Sequence, residues 1–214
     1  MRPASLRVML VDDHPIVRRG LRDILVEAFA GAVVEEVGSG REAIALIQTN
    51  IWNAMVLDLS LPDGSGLDVL KRVRELRPRL PVLILSVHGA DQFARRAIAA
   101  GASGYLTKDA ADSELVTAVS RLARGGKYFG PEVLEHVAMG LNPDREERPH
   151  EALSDREYHV LRMIGSGKTV SEIATELTLS VKTVSTYRAR VLEKMKMRTN
   201  AELTHYAVRH GLSE

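Results

Sequence analysis

The stretch MLVDDHP, residues 9–15, leads three apolar residues directly into two carboxylates and then into a proline. With the two residues before it, it gives the apolar run RVMLV over 7–11, which is typical of a strand covered on both faces of a sheet. Two adjacent like charges at the end of such a strand repel each other and lose hydration. The sequence therefore predicts a buried strand whose C-terminal end needs a compensating group.

Four more short apolar segments follow, and helical patterns separate them. They read VVEEV (33–37), AMVLDL (54–59), PVLILS (81–86) and GYLT (104–107). Strands that alternate with helices are typical of βαβ units, in which helices cover both faces of a parallel sheet. We therefore predict an α/β domain over residues 1–127, with a five-stranded, doubly wound parallel sheet.

From residue 128 the alternation of strands and helices ends. The segment PEVLEHVAMGL (131–141) predicts one short helix, and the charged, proline-bearing segment NPDREERPHEA (142–152) predicts a linker. We therefore expect residues 128–152 to form a linker that carries one short helix and joins two domains.

Residues 153–214 show helical patterns only, with helices predicted near 155–165, 170–177, 181–195 and 200–210. Ser154, Thr169 and Thr199 are each followed three residues later by Glu, which predicts a capping box at three of the four helix starts. The second and third helices are separated by a turn of the length found in a helix-turn-helix. The sequence therefore predicts a separate all-α, four-helix domain of helix-turn-helix type.

The composition is that of an ordinary globular protein, 45% hydrophobic and 27% charged, which can bury a sizeable core. The absence of cysteine excludes disulfides and Cys-ligated zinc. No apolar run approaches the roughly 20 residues of a membrane helix, and no signal-peptide pattern precedes the first acids, so we expect a cytoplasmic protein without a membrane partner. The net charge of +1 does not by itself indicate nucleic-acid binding.

Polar residues stand at the C-terminal ends of four predicted strands: Asp12 and Asp13, Asp58, Ser86 and Lys108. In a doubly wound sheet these ends meet at one edge, which is where ligands bind. Three carboxylates brought together need a cation, and a set of oxygen ligands suits Mg²⁺. We therefore predict a Mg²⁺ site at this edge of the sheet.

The sequence contains no glycine-rich loop of the P-loop or dinucleotide-binding type. A carboxylate can itself act as the nucleophile and form an aspartyl-phosphate. Asp58 would then accept the phosphoryl group, Lys108 would pair with its oxygens and Ser86 would donate a hydrogen bond. These residues suffice because phosphoryl transfer depends mainly on positioning and on stabilisation of charge.

Three features follow one another along the chain: the acids at 12–13, the stretch LDLSLPDGSG (57–66) and the polar residues at the later strand ends. In their order and spacing they resemble the receiver domain of two-component response regulators. The resemblance covers about residues 6–125. It implies a flavodoxin-like fold and phosphorylation of Asp58 by a sensor histidine kinase.

The same resemblance implies a role for each residue that matches a receiver motif. Those that it assigns to Mg²⁺ binding are Asp12, Asp13, Asp58 and, through its backbone carbonyl, Ser60. Those that it assigns to phosphoryl contact or to the conformational switch are Ser86, Tyr105 and Lys108. Phosphorylation is therefore expected to shift the domain between two conformations of similar energy.

Residues 153–212 resemble the LuxR-type helix-turn-helix domain of the NarL/FixJ branch of response regulators, with LS-x-RE, EIA and KTV as its signposts. Within that branch, the C-terminal half is most similar to the GacA-like members. The resemblance implies that the protein binds double-stranded promoter DNA as a homodimer, with helix 200–210 as the candidate dimer surface.

The helix predicted over 181–195 separates an apolar stripe from a polar face. The residues expected in the core are Val184, Val191, Leu192 and Met195. Because the N-terminal part of a recognition helix normally enters the major groove, the residues expected to face the groove are Lys182, Ser185, Thr186 and Ala189. The candidates for phosphate or flanking contacts are Thr183, Tyr187, Arg188 and Arg190.

The function predicted from the sequence is that of a DNA-binding transcriptional regulator controlled by phosphorylation. It is not expected to be an enzyme beyond its own phosphoryl transfer and dephosphorylation. Two alternatives stay open: a DNA-binding regulator whose receiver works without phosphorylation, and a phosphatase with an Asp nucleophile. The haloacid-dehalogenase type of phosphatase needs DxD at the first strand, where this chain has DD.

Overall fold

The computed structural model describes residues 6–86, 92–131, 133–135, 148–177 and 179–212. The chain forms two compact units, Met1–Asp144 and Arg145–Glu214. The helix predicted over 131–141 and the connection predicted over 142–152 lie for the most part outside the described residues. The predicted division into 1–127, 128–152 and 153–214 therefore stays a prediction.

The N-terminal unit is built on a parallel sheet. Its strands are β1 (Arg7–Val11), β2 (Val33–Val37), β3 (Ala54–Asp58), β4 (Ser60–Leu61), β5 (Gly64–Ser65), β6 (Val82–Ser86), β7 (Gly104–Thr107) and β8 (Tyr128–Phe129). Six of them form one sheet in the order β2-β1-β3-β6-β7-β8, and every neighbouring pair is parallel. The short strands β4 and β5 form an antiparallel hairpin. The five predicted parallel strands are confirmed.

The sixth strand, β8, lies beside β7 and was not predicted from the sequence. Tyr128 and Phe129 pair with Gly104 and Tyr105, and two residues are too few to show a strand pattern. The Tyr128 hydroxyl also donates a hydrogen bond of 2.7 Å to the carboxylate of Glu114. The sheet thus extends into the first residues of the predicted linker.

Helices pack against this sheet: α1 (Pro15–Ala28), α2 (Gly40–Thr49), α3 (Gly66–Leu76), α4 (Gln92–Ala99) and α5 (Ala111–Ala123). Every residue of β3 and of β6 is buried, as expected for strands covered on both faces. Leu25 of α1 and Leu115 of α5 are fully buried in one cluster with Leu10 and Val56 of the sheet. The core therefore fixes the strands whose ends carry the predicted site.

The strand order reverses between β1 and β3. The chain runs from β1 to β2 on one side, and it continues from β3 through β6 to β7 on the other. The pair β1 and β3 is in register from Val8 with Ala54 to Val11 with Leu57. In an open α/β sheet, the C-terminal end of such a pair is the expected ligand site.

The described part of the C-terminal unit is helical. A short 3₁₀ helix, Pro149–Ala152, precedes four α-helices: α6 (Asp155–Gly165), α7 (Val170–Glu176), α8 (Val181–Lys194) and α9 (Asn200–Arg209). The predicted four-helix architecture is confirmed, and α7 and α8 are the helix-turn-helix pair. None of the helices in the described residues is both long and apolar enough to cross a membrane.

Two of the three predicted capping boxes are present, at Ser154 and Thr169. The third predicted capping box, at Thr199, has only one of its two hydrogen bonds. The hydroxyl of Thr199 accepts from the N–H of Glu202 at 3.2 Å, but the Glu202 carboxylate accepts from the N–H of Arg198 at 2.8 Å. The carboxylate thus satisfies the backbone one residue before the cap, which the spacing alone does not distinguish.

The apolar stripe of α8 packs inward as predicted, with one exception. Val184, Val191 and Met195 are buried, whereas Leu192 is only half-buried. Leu192 lies at the border of the stripe, where a long side chain keeps part of its surface in solvent.

Candidate functional site

The predicted strand ends meet at one edge of the N-terminal unit. Asp12 follows β1, and Asp58 is the last residue of β3. Ser86 is the last residue of β6, and Lys108 follows β7. Because these strands are parallel neighbours, their C-terminal ends lie side by side at the point where strand order reverses. The fold therefore brings together residues that are up to 96 positions apart, since it joins Asp12 to Lys108.

Lys108 bridges two buried carboxylates. Its Nζ lies 2.6 Å from Oδ2 of Asp12 and 2.7 Å from Oδ2 of Asp58. Asp12 and Asp58 are each only 2% exposed. The backbone N–H of Lys108 donates to the carbonyl of Ser86 at 2.7 Å. The sequence predicted a group that compensates these carboxylates, and that group is the ammonium of Lys108. The backbone hydrogen bond to β6 holds this residue in place.

The compensation by Lys108 is incomplete. Burial raises the pKa of Asp58 from 3.8 to about 6; Lys108 opposes this rise, and the carboxylate of Asp12 adds to it. Burial also disfavours the charge on Lys108, but Asp58 and Asp12 outweigh it and raise the pKa of the ammonium group. A further cation would complete the neutralisation, so this edge has the charge that favours a metal ion.

The acids share a common point with an imidazole. Asp12, Asp13, Asp58 and His14 each offer one ligand atom, and these atoms all lie within 4.8 Å of one another. Carboxylate oxygens suit Mg²⁺, which takes one or two carboxylates and keeps several waters. His14 was not assigned a role from the sequence, although its position directly after the two acids was a usable signal.

The loop after β3 holds Asp58 through the backbone. The N–H of Ser60 donates to Oδ1 of Asp58 at 3.1 Å, and the hairpin of β4 and β5 closes the loop. Where the hairpin meets α3, a Cβ atom on Gly66 would lie 2.1 Å from the carbonyl oxygen of Asp58. Only glycine permits this approach, so Gly66 is a site residue that the motif contained but that sequence reasoning did not single out.

Asp63, in the turn of the same hairpin, is a second residue that was not predicted. Its Oδ1 accepts from the N–H of Gly40 at 2.9 Å, and its Oδ2 accepts from the N–H of Arg41 at 2.8 Å. Burial opposes the charge of Asp63, but the hydrogen bonds from Arg41 and Gly40 outweigh it and lower the pKa. Asp63 therefore ties the loop that carries Asp58 to the first turn of α2.

Ser86 and Tyr105 both lie in the interior. Ser86 is 1% exposed and Tyr105 is fully buried. In the sheet Asp58 pairs with Leu85, so Ser86 stands one residue beyond the partner of Asp58. Tyr105 pairs with Ile84 on the same strand β6. The hydroxyl of Ser86 therefore lies at the edge of the sheet that carries the carboxylates. Tyr105 lies further from that edge, in the neighbouring strand β7.

Arg18 of α1 supports the end of β1, and sequence reasoning did not find it. Its guanidinium donates to the backbone carbonyl of Asp12 at 2.5 Å, and its Nε lies 3.7 Å from the Glu36 carboxylate. The side chain is largely buried. It therefore fixes the backbone that carries Asp12.

In the C-terminal unit, the residues expected to contact DNA lie along α8 and differ in their exposure. The exposed members are Lys182, Ser185, Thr186, Ala189 and Arg190. The half-buried members are Thr183, Tyr187 and Arg188. Val184 and Val191 are fully buried and anchor the helix in the core of the unit. The exposed residues of α8 point to solvent.

Contacts at both ends hold α8. At its start, the hydroxyl of Ser180 accepts from the N–H of Thr183 at 3.0 Å. At its end, Nζ of Lys194 lies 2.6 Å from the carboxylate of Glu157 on α6. Burial opposes the charge of Glu157, but bonds from Lys194 and Ser154 outweigh it and lower its pKa. The ion pair thus fixes where α8 ends relative to α6.

One residue of the polar face of α8 is held by another helix. Nε of Arg188 donates to Oδ1 of Asn200, the first residue of α9, at 2.5 Å. Asn200 was not predicted, because its partner lies 12 positions away and no periodic pattern links the two. The bond fixes the direction of the Arg188 guanidinium.

Two family models match the chain. The model of the response regulator receiver domain matches residues 8–120, and the model of bacterial regulatory proteins of the luxR family matches residues 151–207. Receiver domains bind Mg²⁺ through acidic residues, and an Asp cluster of that kind is present at the sheet edge. The two matched segments coincide with the sheet unit and the helical unit.

Similar proteins share both segments. The response regulator UvrY of Escherichia coli strain K12 is 36% identical over 208 residues, which cover 97% of this chain and 95% of UvrY. The response regulator GacA of Pseudomonas aeruginosa is 32% identical, over 97% of each chain. A solved structure of two RcsB dimers bound to two parallel DNAs has a TM-score of 0.59 and 25% identity, and covers 96% of this chain and 98% of RcsB.

These findings confirm the resemblance to NarL/FixJ-type and GacA-like proteins, and they indicate a regulator of transcription rather than a member of an enzyme family. The sheet, its acidic edge and the helix-turn-helix pair occur together in one chain, as they do in such regulators. The chain belongs to the response regulators, and it regulates transcription under the control of phosphorylation through a receiver domain and a LuxR-type DNA-binding domain.

Proposed function

We propose that Asp58 accepts a phosphoryl group from a sensor histidine kinase, and that this modification changes dimerisation and promoter binding. The observation that carries the proposal is the buried carboxylate of Asp58 at the strand-order reversal, with the ammonium of Lys108 at 2.7 Å. A nucleophile needs its negative charge, and the ammonium group stabilises that charge.

In the proposed transfer, a carboxylate oxygen of Asp58 attacks the phosphorus of the kinase phosphohistidine. A P–O bond forms and the P–N bond breaks, and the electron pair of the broken bond stays on the imidazole, which takes up a proton. Lys108 is in position to pair with a phosphoryl oxygen, as charge stabilisation in phosphoryl transfer requires. We infer that the chain catalyses only this transfer and the later hydrolysis of its own aspartyl-phosphate.

The donor set of the site fits Mg²⁺, since Asp12, Asp13 and Asp58 supply hard carboxylate oxygens around one point. The side chains of these three residues and the backbone carbonyl of Ser60 would hold the ion. Bound there, Mg²⁺ would supply the positive charge that offsets the carboxylates and the phosphoryl oxygens.

We propose that Ser86 and Tyr105 transmit the modification. Ser86 stands one residue beyond the sheet partner of Asp58, so its hydroxyl can donate to a phosphoryl oxygen. Tyr105 is already fully buried and packs in the adjacent strand. A new dianionic group at Asp58 biases these packed residues toward one of two arrangements.

The exposed face of α8 supports contact with double-stranded promoter DNA. Its candidates for base edges are Lys182, Ser185, Thr186 and Ala189, and those for phosphates or flanking contacts are Thr183, Tyr187, Arg188 and Arg190. Small and polar side chains permit close approach to the groove, while the cations reach phosphates. Because DNA lies in the bacterial cytoplasm, we propose that the protein works there.

We propose α9 as the dimer surface of the DNA-binding domain. Ala201, His205 and Val208 lie at helical spacing and are exposed, and Val208 is 61% exposed. An exposed apolar side chain at this position is suited to contact a second copy. RcsB, a structural neighbour, binds DNA as dimers, and a dimer would read two half-sites.

The test measures DNA affinity and oligomeric state with Mg²⁺, with and without beryllofluoride as a phosphoryl mimic. The DNA is a duplex that the protein itself selects from random sequence, and the proteins are the wild type and Asp58→Ala. We expect the mimic to tighten DNA binding or to increase dimerisation in the wild type alone.

An equal response of both proteins to beryllofluoride would show that Asp58 is not the acceptor. Binding of DNA by both proteins without any response would favour the alternative in which the receiver works without phosphorylation. Turnover of small phosphoesters by the wild type, and not by Asp58→Ala, would favour the phosphatase alternative.

A further inference from the structure

The proposed function gives no role to His14, although this residue lies in the acidic cluster. Its Nδ1 is 2.8 Å from Oδ1 of Asp13 and 3.2 Å from Oδ1 of Asp12. We propose that His14 is a nitrogen ligand of the divalent-cation site and gives that site an affinity for transition-metal ions that its oxygen ligands alone would not provide. This inference rests on the proposed cation site at Asp58.

The two sides of the cluster are occupied differently. The Oδ2 atoms of Asp12 and Asp58 face the ammonium of Lys108. The Oδ1 atoms of Asp12 and Asp13 face the imidazole of His14. A cation cannot share the position of the ammonium group, and a cation bound by the Oδ1 atoms of Asp12 and Asp13 would lie next to the imidazole of His14.

The distances fit a common metal ion. Oxygen ligands on opposite sides of a small divalent ion, each at about 2.1 Å, lie about 4.2 Å apart. The four ligand atoms of Asp12, Asp13, His14 and Asp58 already lie within 4.8 Å of one another. Shifts of a few tenths of an ångström in the side chains would close this set around one ion.

The backbone holds the imidazole near the acids. The N–H of His14 donates to Oδ1 of Asp12 at 2.7 Å. His14 is the N-cap of α1 in an extended conformation, with φ −91° and ψ 106°, and Pro15 follows it. A residue before proline is restricted to this region. The side chain is 63% exposed, so it can rotate toward an ion without losing packing in the core.

The chemistry of the ligand decides which ions benefit. Mg²⁺ prefers oxygen ligands, whereas imidazole nitrogen suits first-row transition metals. The simpler interpretation is that His14 only forms hydrogen bonds with the two carboxylates. That interpretation predicts no nitrogen at the metal, and this difference can be measured.

The first measurement is pulsed electron paramagnetic resonance on the full chain with one equivalent of Mn²⁺. Mn²⁺ is the probe because it accepts the same carboxylate ligands as Mg²⁺ and its unpaired electrons report a directly bound nitrogen. We expect a ¹⁴N coupling in the wild type, its loss in His14→Ala, and its retention in His159→Ala. His159 is a half-buried histidine on α6, outside the receiver unit, and serves as the control.

The second measurement is calorimetric affinity for Ni²⁺ and Mg²⁺. Imidazole nitrogen suits Ni²⁺, and even the loss of a residue that only supports a metal ligand costs about tenfold in affinity, so His14→Ala should weaken Ni²⁺ binding by about tenfold or more. Mg²⁺ binding should change by less than about twofold, because Mg²⁺ prefers oxygen ligands. His159→Ala should leave both affinities unchanged. Asp58→Asn should weaken both ions, because it removes an oxygen ligand.

The outcomes separate this inference from the proposed function. Bound Mn²⁺ without ¹⁴N coupling, together with equal Ni²⁺ affinity in the wild type and His14→Ala, would overturn the role of His14. If Asp58→Asn still weakened Mg²⁺ binding in that case, the cation site at Asp58 would stand. Equal Mg²⁺ affinity in the wild type and Asp58→Asn would overturn both.

Discussion

The two functional regions of this response regulator differ in how much of their geometry exists before a ligand arrives. At the receiver edge, buried carboxylates are already bonded, and Lys108 contacts Asp12 and Asp58 at 2.6 and 2.7 Å. On α8, Lys182 and Ser185 are exposed, and in the described part of the chain no hydrogen bond joins their side chains to another helix. The receiver site is part of the folded core, whereas Lys182 and Ser185, which we propose to contact DNA, are exposed and have no such support from another helix in the described residues.

This difference has an energetic consequence. Buried like charges oppose folding unless they are compensated, so a substitution at the receiver edge changes stability and function together. A substitution at an exposed position usually changes stability by less than about 0.5 kcal/mol. The face of α8 should therefore tolerate change without unfolding, and the cost should appear in DNA binding alone.

The largest effect is expected for Gly66→Ala. The new Cβ atom would lie 2.1 Å from the carbonyl oxygen of Asp58 and 2.7 Å from Cα of Leu59, and both are backbone atoms that cannot rotate away. We expect a loss of about 3 kcal/mol of unfolding free energy, at the upper end for overpacking. Urea denaturation measures this loss, and the same variant should no longer accept a phosphoryl group from a small phosphodonor.

Gly64→Ala is the matched control for this prediction. Gly64 lies in the same hairpin, and a Cβ atom there would meet nothing within 4 Å. Its unfolding free energy should stay within about 0.5 kcal/mol of the wild type. Equal urea midpoints for the two variants would show that the loop is not fixed against Asp58.

Asp58→Asn should stabilise the protein in metal-free buffer. The pKa of Asp58 is about 6 in the fold and 3.8 ordinarily, so the folded state disfavours the carboxylate form that dominates above pH 6. The amide carries no such charge, and we expect a gain of about 2 kcal/mol at pH 7.5. The gain should fade as the pH falls from 6 to below 3.8, because the wild-type carboxyl group then becomes protonated in both states.

Thermal unfolding of the wild type and Asp58→Asn at several pH values measures this gain. Added Mg²⁺ should raise the melting temperature of the wild type more than that of the variant, since the ion offsets the same charge. A less stable Asn variant at pH 7.5 would contradict the prediction, because it would mean that the Lys108 pair outweighs the burial of Asp58.

The sequence was sufficient to predict five of the parallel strands, the helix-turn-helix pair and the acids at the edge of the receiver sheet. Asp12, Asp58, Ser86 and Lys108 could be grouped because the ends of parallel strands meet whatever the loops do. The roles of Gly66 and Asp63 were not predictable in this way. They depend on how closely a hairpin approaches β3 and α2, and no periodicity records such a distance.

Asp63→Ala tests one of those unpredicted contacts. The Asp63 carboxylate accepts from the N–H groups of Gly40 and Arg41, and the loss of a cap of this kind costs about 1 kcal/mol. Because these hydrogen bonds lower the pKa of Asp63, their contribution is present above its ordinary pKa and is lost as the pH falls through the lowered value. Asp63 and Asp58 are therefore expected to affect stability in opposite directions at neutral pH.

Urea denaturation of Asp63→Ala at pH 7 measures this cost, and Asp68→Ala is its control. Asp68 is an exposed acid on α3 that pairs with Lys71 at 3.3 Å, and such surface pairs contribute about 0.5 kcal/mol or less. If the two variants lost the same unfolding free energy, the link from the hairpin to α2 would contribute no more to stability than a surface ion pair.

The smallest change in stability is expected at Arg188 and Asn200. Here a residue proposed to contact DNA is held by another helix, so the contrast between the two regions does not apply. Nε of Arg188 is bound to Asn200 at 2.5 Å, so this one cation of the DNA face is directed before DNA arrives. If its remaining N–H groups contact a phosphate, Arg188→Ala should reduce the slope of log affinity against log salt by about 0.9.

Asn200→Ala should weaken DNA binding in the wild type, but it should have no further effect in the Arg188→Ala background, because the two residues act as a unit. Equal losses in both backgrounds would mean that Asn200 contacts DNA or stabilises α9 independently, and that all of the DNA face is organised by DNA alone.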